Sequence, residues 1–422
     1  MNILWIVNIT FPEALSLIKN NDNGLKSTGG WMIGAANALI KHSEVKLCVV
    51  SVSQHVSKLV RLKGNQIYYY VIPYGKGNTR VNDEYKHYFR TIYDEYRPDV
   101  VHIHGSEYSH GLAFIKECGN QGVILSIQGM TSVYERYQLS GITFKDYIKS
   151  ITFRDLISLN TLYHDKIDCQ RQGTYEVEIV KRVSNVIGRT SWDQAHVWAI
   201  NPSARYYFCN ETLRDCFYQG SWSYDNCEKY SIFCSSAQDP VKGFHQLLKA
   251  MPIIKKHYPQ TKVYVSGIDV TRSNEKYSKL KVKGYGAFLK RIIRENDLAD
   301  SIIFLGPLDA EEMKKQYLKA NVFVCPSSIE NSPNSLGEAQ LLGTPCIASY
   351  VGGIMDMMNG NEQNIYRFEE TEMLASKICK VFEAKGNQTD ILRKNAQQRH
   401  SPIINSERLL EIYNSVVQFS SR

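Results

Sequence analysis

The stretch from residue 301 to residue 353 constrains the fold more than any other part of the chain. It alternates apolar runs with helical patterns, and its run at 321–326 ends in the polar loop 327–335. A new helical pattern follows this loop and stops at Gly343. The order of strand, helix, strand, loop, helix and strand predicts a parallel α/β sheet, in which ligands bind beyond the carboxyl ends of the strands.

Two carboxylates bracket that polar loop. Glu330 lies at the predicted mouth of a strand, and Glu338 follows it within the first turns of the next helix. The N–H groups at a helix N-terminus attract anions, and ionised carboxylates accept hydrogen bonds from sugar hydroxyl groups. The pattern therefore predicts a ligand that carries both phosphate and sugar. Alternatively, both residues are solvent-facing charges of a loop and a helix.

The same stretch resembles the E-x7-E signature region of retaining GT-B glycosyltransferases. The resemblance rests on several pieces that occur in the family's order: Phe304-Leu305-Gly306, Pro326-Ser327, Glu330, Glu338-Ala339, Gly343-Thr344-Pro345 and Gly352-Gly353. The strings G-R-T-S-W-D at 188–193 and C-N-E-T-L-R-D-C-F-Y at 209–218 resemble a subgroup that acts in bacterial surface-polysaccharide synthesis.

The resemblance implies an α/β protein of the GT-B class, with two Rossmann-like parallel-sheet domains facing a central cleft. At 422 residues the chain is too long for one hydrophobic core, which also favours two domains. We predict an N-terminal acceptor-side domain at 1–220 and a C-terminal nucleotide-sugar-binding domain at 229–405. The resemblance further implies that a last helix, at about 406–422, packs back on the first domain.

Carried over residue by residue, the resemblance implies a donor site and a smaller catalytic set. The predicted donor-binding residues are Gly29, Gly30, Gln128, Arg189, Lys242, Glu330, Asn331, Ser332, Asn334, Ser335, Leu336 and Glu338. The predicted catalytic residues are Glu330, Lys242 and His104. Ala237 stands where the family usually has an arginine that binds the donor diphosphate, and we expect Arg189 to substitute for it.

Some of these residues are also indicated by the pattern itself. His104, Gln128 and Arg189 each follow a predicted strand, at the sheet edge where ligands bind. A lone residue of this kind more often closes a loop by a hydrogen bond, whereas three of them at successive strand ends fit a binding site equally well. The Gly29-Gly30 turn permits close approach of a phosphate, but it lacks the G-x-G-x-x-G spacing of nicotinamide enzymes.

Composition narrows the class of protein further. No apolar run reaches the ~20 residues of a membrane span, and the N-terminus shows no signal-peptide pattern. The ten scattered cysteines lack a C-x-x-C pair, so we expect reduced thiols in the cytoplasm. A net charge of +8 suits either plain solubility or peripheral contact with an anionic membrane, such as the inner face of the plasma membrane, and no nucleic-acid motif is present. The segment 132–182 fits a lipid-facing helix or a core-facing one.

The leading hypothesis is a hexosyltransferase that moves a sugar from a nucleotide-diphosphate sugar to a glycan acceptor, lipid-linked, in cell-surface polysaccharide synthesis (capsule, exopolysaccharide or O-antigen). No Asp-x-Asp metal motif occurs, so we predict no metal and no cofactor beyond the donor itself. The alternatives are a nucleotide-sugar epimerase and a non-catalytic binding protein of the same shape. A pair of hydrolase carboxylates fits less well, because a phosphate-ready helix favours transfer.

Overall fold

The computed structural model describes residues 1–19, 30–74, 83–152, 155, 161–272, 284–385 and 390–420. Its strands form two separate sheets, one in each half of the chain. The first sheet contains β1 (Asn2–Ile6), β2 (Lys46–Ser53), β3 (Val60–Lys63), β4 (Ile67–Pro73), β5 (Val100–His104), β6 (Val123–Ser126), β7 (Asn185–Gly188) and β8 (Arg205–Phe208). The second sheet contains β9 (Glu228–Cys234), β10 (Lys262–Val265), β11 (Ile302–Phe304), β12 (Ala320–Cys325), β13 (Cys346–Ser349) and β14 (Ile365–Tyr366).

Both sheets are wound in the manner of a Rossmann fold. The first has the order β3-β4-β2-β1-β5-β6-β7-β8 and is parallel except for the antiparallel β3–β4 pair. The second has the order β11-β10-β9-β12-β13-β14 and is parallel throughout. Every residue of β5 and of β12 is buried, as expected for central strands covered on both faces.

Helices connect the strands and are named below by their residues. In the first half of the chain they are Pro12–Lys19, Gly30–Leu39, Asp83–Tyr96, Ser109–Cys118, Thr131–Tyr134, Phe144–Ser150, Leu162–Arg182 and Ser191–Ile200. In the second half they are Phe244–His257, Gly284–Glu295, Ala310–Lys319, Asn334–Leu342, Ile354–Met357, Thr371–Glu383, Asp390–Arg399 and Pro402–Ser420.

The chain divides into two compact units that are not continuous in sequence. The first unit contains 1–133, 169–214 and 398–422, and the second contains 134–168 and 215–397. Residues 134–168 thus group with the second unit and not with the predicted domain 1–220, and the second unit ends at 397, before the predicted 405. Segment 134–168 belongs to the second unit because Ile142 is part of its hydrophobic core and His245 Nε2 donates to the Ser140 carbonyl at 2.9 Å.

The helix Pro402–Ser420 belongs to the first unit, and its start lies four residues before the predicted 406. It is fixed there by a buried hydrogen-bond chain: Trp5 Nε1 donates to the Tyr413 hydroxyl at 2.9 Å, and that hydroxyl lies 2.6 Å from His102 Nδ1. His102 Nε2 in turn lies 2.6 Å from Ser126 Oγ. The chain ties this helix to three strands of the first sheet.

Three further features bear on the sequence predictions. In the described ranges, no helix combines the length and the apolar character that crossing a bilayer requires. The same ranges contain no cluster of three or more histidine, cysteine or acidic side chains placed to hold a metal ion. None of the ten cysteines, all of which lie in described ranges, forms a disulfide.

Candidate functional site

The carboxylate of Glu330 is the centre of the polar group after β12. Its Oε1 accepts a hydrogen bond from Ser327 Oγ at 2.8 Å and a second from Lys242 Nζ at 2.7 Å. The residue is 7% exposed, so its carboxylate is held in one position and is nearly closed off from bulk water. The sequence indicated Glu330 and Lys242, but it gave no sign that Ser327 would join them.

Lys242 reaches Glu330 because of a tight turn after β9. The turn Pro240–Lys242 is capped by Asp239, whose Oδ1 accepts from the Val241 N–H at 2.9 Å. Gly243 then adopts φ +68°, and a Cβ built on it would lie 1.7 Å from the Pro326 carbonyl oxygen. Only glycine combines this left-handed backbone with so close an approach, and the approach sets Lys242 beside the end of β12.

The ammonium of Lys242 stays charged and remains accessible. Desolvation acts to lower its pKa, but the charge of Glu330 and the hydrogen bond to it outweigh that effect, so the pKa of Lys242 is raised above its usual value. The Lys242 side chain is 42% exposed, against 9% for Glu330. An ammonium has three N–H donors, and Glu330 takes only one of them. A second anion can therefore bind to Lys242 without displacing Glu330.

Gly352 and Gly353 hold the Glu330 loop from its other side. The Gly353 N–H donates to the Glu330 carbonyl at 3.0 Å. Gly352 has φ +51°, and a Cβ built on it would lie 1.8 Å from the same carbonyl oxygen. The loop is thus pressed between two glycine turns, Gly243 at its start and Gly352 at its end.

The helix Asn334–Leu342 begins immediately after this loop. Its N-cap position is Pro333, which provides no side-chain hydrogen bond, and its first turn has no acidic residue. The positive end of the helix dipole is therefore left without a side-chain partner, which is the arrangement that favours a bound anion. Asn334 and Ser335, both predicted donor-site residues, lie in this first turn and are half-buried.

The remaining predicted residues of this loop and helix lie deeper. Glu338 is 4% exposed, and its Oε2 lies 3.5 Å from the Tyr317 hydroxyl. Asn331 and Leu336 are buried, and Ser332 is half-buried. Glu338 is therefore not the solvent-facing helix charge of the alternative interpretation.

The surroundings of Ala237 account for the absence of the arginine that the resembled family usually has at this position. Ala237 is 1% exposed and belongs to the hydrophobic core of the second unit, beside the residues of β9 and β10. A guanidinium at this position would be desolvated within that core. The missing cation is therefore consistent with the packing of this chain.

Arg189 does not supply the missing charge in this structure. Its guanidinium forms an ion pair with Glu211 and donates from Nη2 to the Ile127 carbonyl at 2.6 Å and to the Gln128 carbonyl at 2.9 Å. The Arg189 side chain is 5% exposed. The prediction that Arg189 replaces the family arginine is not supported, because three acceptors of the first unit already occupy it.

The other predicted residues of the first unit are His104, Gln128, Gly30 and Gly29. His104 is 3% exposed, and burial lowers its pKa well below the usual value, with further lowering from the charges of His102 and Arg189. Neither of its ring nitrogens has a hydrogen-bond partner among the described residues. Gln128 is half-buried beside Arg189, and Gly30 begins the helix Gly30–Leu39. Gly29 lies outside the described residues.

Known proteins resemble the chain in the part that contains this geometry. Residues 225–399 match the family model described as Glycosyl transferases group 1, a range that contains Lys242, Glu330 and Glu338. Over 186 residues the chain is 23% identical to an uncharacterised glycosyltransferase of Methanocaldococcus jannaschii, a match that covers 43% of this chain and 44% of the relative. The chain thus spans less than half the length of that curated relative.

Solved structures resemble the chain over its full length. Sucrose-phosphate synthase of Thermosynechococcus elongatus superimposes with a TM-score of 0.71 at 15% identity, and the match covers 100% of both chains. HepE of Anabaena, solved in complex with UDP-glucose, gives a TM-score of 0.65 at 15% identity over 98% of this chain and 100% of that one. The predicted fold class is confirmed: the chain is an α/β protein of the GT-B type with two Rossmann-like parallel-sheet domains. The family match also supports a glycosyltransferase.

Proposed function

We propose that the protein is a retaining glycosyltransferase that moves a sugar from a nucleotide-diphosphate sugar to a glycan acceptor. The observation that carries the proposal is the Lys242–Glu330 pair, which lies at the head of the uncapped helix Asn334–Leu342. A carboxylate suited to sugar hydroxyls, a cation and a helix N-terminus therefore belong to one segment pair, and all three lie within the range that matches the glycosyltransferase model, which supports the proposal.

Departure of the nucleotide diphosphate is the step for which these residues are suited. Negative charge develops on the leaving oxygen, and fixed positive groups that face it lower the barrier. Lys242 offers its two remaining N–H donors, and the amides of the helix Asn334–Leu342 add a partial positive charge. Glu330 accepts hydrogen bonds from sugar hydroxyls, and Glu338 accepts them from the ribose. No step in this scheme requires a metal ion or another cofactor.

The acceptor in this proposal is a glycan, lipid-linked, in the synthesis of a cell-surface polysaccharide at the inner face of the plasma membrane. Its support is the likeness of the strings at 188–193 and 209–218 to that subgroup. UDP-glucose is the first donor to test, since the structurally similar HepE was solved with it.

A non-catalytic binding protein is the second candidate, and Ala237 is the observation that favours it. One cation fewer on the diphosphate weakens stabilisation of the leaving group, while binding of the sugar and the nucleoside is unaffected. An epimerase would use the same donor site but would turn over donor without an acceptor.

The test is a thermal-shift screen with UDP, GDP, ADP and dTDP, each with magnesium and with EDTA, followed by donor turnover with the nucleotide that binds. A ligand at 100 times its Kd stabilises the folded protein by about 2.7 kcal/mol, which is readily seen. We expect one nucleotide to stand out in EDTA as well as in magnesium. Failure of all four nucleotides to stabilise the protein would overturn the proposal, and binding without any donor turnover would favour the non-catalytic candidate.

A further inference from the structure

A groove borders the Glu330 loop in the second unit. It has a volume of about 720 Å³ and is open to solvent. Ile329 and Gly352 form part of its wall, and Gly352 is the residue whose backbone presses against the Glu330 carbonyl. The groove and the Lys242–Glu330 pair therefore share one loop. The side-chain carboxylate of Glu330 binds Lys242, and its main-chain carbonyl faces Gly352.

The opposite wall is built by residues from the first half of the chain. Residues 136–141 contribute Arg136, Tyr137 and Ser140 to the lining. They are fixed to the second unit because Ser140 Oγ lies 2.9 Å from Ser328 Oγ and the Ser140 carbonyl accepts from His245 Nε2 at 2.9 Å. Ser328 also donates to the Tyr137 carbonyl at 3.4 Å. The groove is thus formed by buried hydrogen bonds and does not depend on the chance position of surface side chains.

The charged groups of the groove are two arginines and one carboxylate. Arg136 and Arg367 are exposed, and within the described ranges neither side chain has a hydrogen bond or an ion pair. Glu369 is the acidic residue of the lining, so the groove carries a net charge of +1. Other arginines of the described ranges do have carboxylate partners, as Arg61 has in Glu95 at 2.5 Å. Two arginines without partners in one groove point to an anion that is bound from outside.

We propose that this groove binds the phosphate or diphosphate group of the acceptor substrate. Arginine forks bind phosphate oxygens in pairs, and two of them match the charge of a phosphate better than that of a single carboxylate. A volume of about 720 Å³ exceeds the need of one anion, so the phosphate is part of a larger molecule. Tyr137 and Tyr350, which are 39% and 59% exposed, give the rest of that molecule ring faces to contact.

The position of the groove fits an acceptor. In the proposed function, which this inference rests on, Glu330 holds the sugar that is transferred, and the acceptor hydroxyl must approach that sugar. A phosphate bound against Gly352 and Arg367 lies at the same loop without occupying Lys242 or the helix Asn334–Leu342. Phosphate-bearing acceptors come from two sources, a prenyl diphosphate lipid or a soluble sugar phosphate, and the chemistry recognised here is common to both.

The experiment measures anion binding while the donor site is filled. The full chain is saturated with the nucleotide that stabilises it best, and inorganic pyrophosphate, geranyl diphosphate and glucose 6-phosphate are titrated by calorimetry. We expect at least one probe to bind, and Arg136→Ala combined with Arg367→Ala to weaken it by roughly tenfold or more, because hydrogen bonds to charged groups are strong. Tighter binding of geranyl diphosphate identifies a lipid acceptor, and tighter binding of glucose 6-phosphate identifies a soluble one.

Two variants serve as matched controls. Arg294→Ala removes an exposed arginine of the same unit outside the groove and should leave every affinity unchanged. Glu369→Gln removes the acidic side chain of the lining and should tighten the probe that binds. Unchanged probe binding in the double arginine variant, or no binding of any probe to the wild type, overturns the inference.

The nucleotide separates this inference from the proposed function. If the double variant loses affinity for the nucleotide and for the anion probe to the same extent, the groove belongs to the donor site. That result would overturn the proposal that the groove binds the acceptor. Absence of any nucleotide binding to the wild type would instead overturn the proposed function.

Discussion

Lys242 Nζ lies 2.7 Å from Glu330 Oε1, and the two residues are 88 positions apart in the chain. The contact joins the turn after β9 to the loop after β12, two strands that are neighbours in the second sheet. A single ion pair thus fixes the carboxylate that we propose binds the sugar and the ammonium that we propose binds the phosphate relative to each other.

Replacing Lys242 by methionine should lower donor turnover by about 10²- to 10³-fold, the usual effect of removing one group that stabilises developing charge. Nucleoside diphosphate binding should weaken, while binding of the bare nucleoside should not. The measurement is kcat with the preferred donor, together with calorimetric affinities for diphosphate and nucleoside. Lys256→Met, at an exposed lysine of the same unit, is the control and should retain wild-type values. Equal loss in both variants would contradict the assignment.

Glu330 and Glu338 should have separable effects. Glu338→Ala removes the proposed acceptor of the ribose hydroxyls and should raise the Kd of the nucleotide, by about tenfold for a lost charged hydrogen bond. Glu330→Gln keeps the size of the side chain and should leave nucleotide affinity near the wild-type value while turnover falls. The Kd of the nucleotide and kcat with the preferred donor are measured for both variants. Wild-type affinity and turnover in both variants would refute the predicted site.

Much of this site was readable from the sequence because its residues are close together in the chain. Glu330, Glu338 and the two glycines at 352 and 353 lie within one strand–loop–helix–strand unit, and their order alone implied the loop and the helix N-terminus. Lys242 was found because its turn carries a similar short signature. The partners of Arg189 could not be predicted, because a strand-exit position does not reveal that Glu211 and two carbonyls will bind the guanidinium.

The grouping of residues 134–168 with the second unit was unpredictable for a related physical reason. Residues 134–168 follow β6 in the sequence, and nothing local shows that Ile142 packs in the other core or that Ser140 pairs with Ser328. Such contacts depend on residues more than a hundred positions away. For the same reason, the groove lined by Arg136 and Arg367 could not be predicted from the sequence.

Gly352→Ala should destabilise the protein and abolish activity. The added Cβ would lie 1.8 Å from the Glu330 carbonyl oxygen, and φ +51° is already unfavourable for alanine. Gly306→Ala is a matched comparison, because Gly306 has φ +77° but no atom within 4 Å of the built Cβ. Gly306→Ala should lower the free energy of unfolding only by the ~1–2 kcal/mol that a left-handed backbone costs alanine. Urea denaturation of both variants tests this, and equal destabilisation would contradict it.

Stability should fall as the pH drops below about 6.5, because buried histidines must become charged when the chain unfolds. Burial lowers the pKa of His102 and His245 to about 3 and that of His110 and His400 to about 4. Between these values and the unfolded value, the unfolded state binds more protons, so each such histidine removes up to about 1.4 kcal/mol of stability per pH unit.

Glu107 acts in the opposite direction, since burial raises its pKa to about 7 and its protonation favours the folded state between that pH and its unfolded value. The denaturation midpoint in urea, measured from pH 7.5 to pH 5, should therefore decline with a slope smaller than the histidines alone would give. His245→Gln should flatten the decline, and His257→Gln, at an exposed position, should not. A pH-independent midpoint would contradict the prediction.

Tyr413→Phe should destabilise the first unit by about 1–3 kcal/mol, the cost of leaving a buried donor unsatisfied. The hydroxyl is the acceptor for Trp5 Nε1 and the partner of His102 Nδ1, and both of these residues are buried. Thermal unfolding monitored by tryptophan fluorescence measures the loss. Tyr163→Phe, at a residue that is 55% exposed, is the control and should unfold like the wild type.

The division of the chain has a consequence for how the protein is made. Residues 398–422 complete the first unit, so this unit draws on chain that is synthesised before and after the bulk of the second unit, at 215–397. When every strand of the first sheet has been translated, the helix Pro402–Ser420, which supplies Tyr413 to Trp5, has not yet been synthesised. The nascent first unit therefore lacks the native partner of Trp5 Nε1 and of His102 Nδ1 until the second unit has been translated in full.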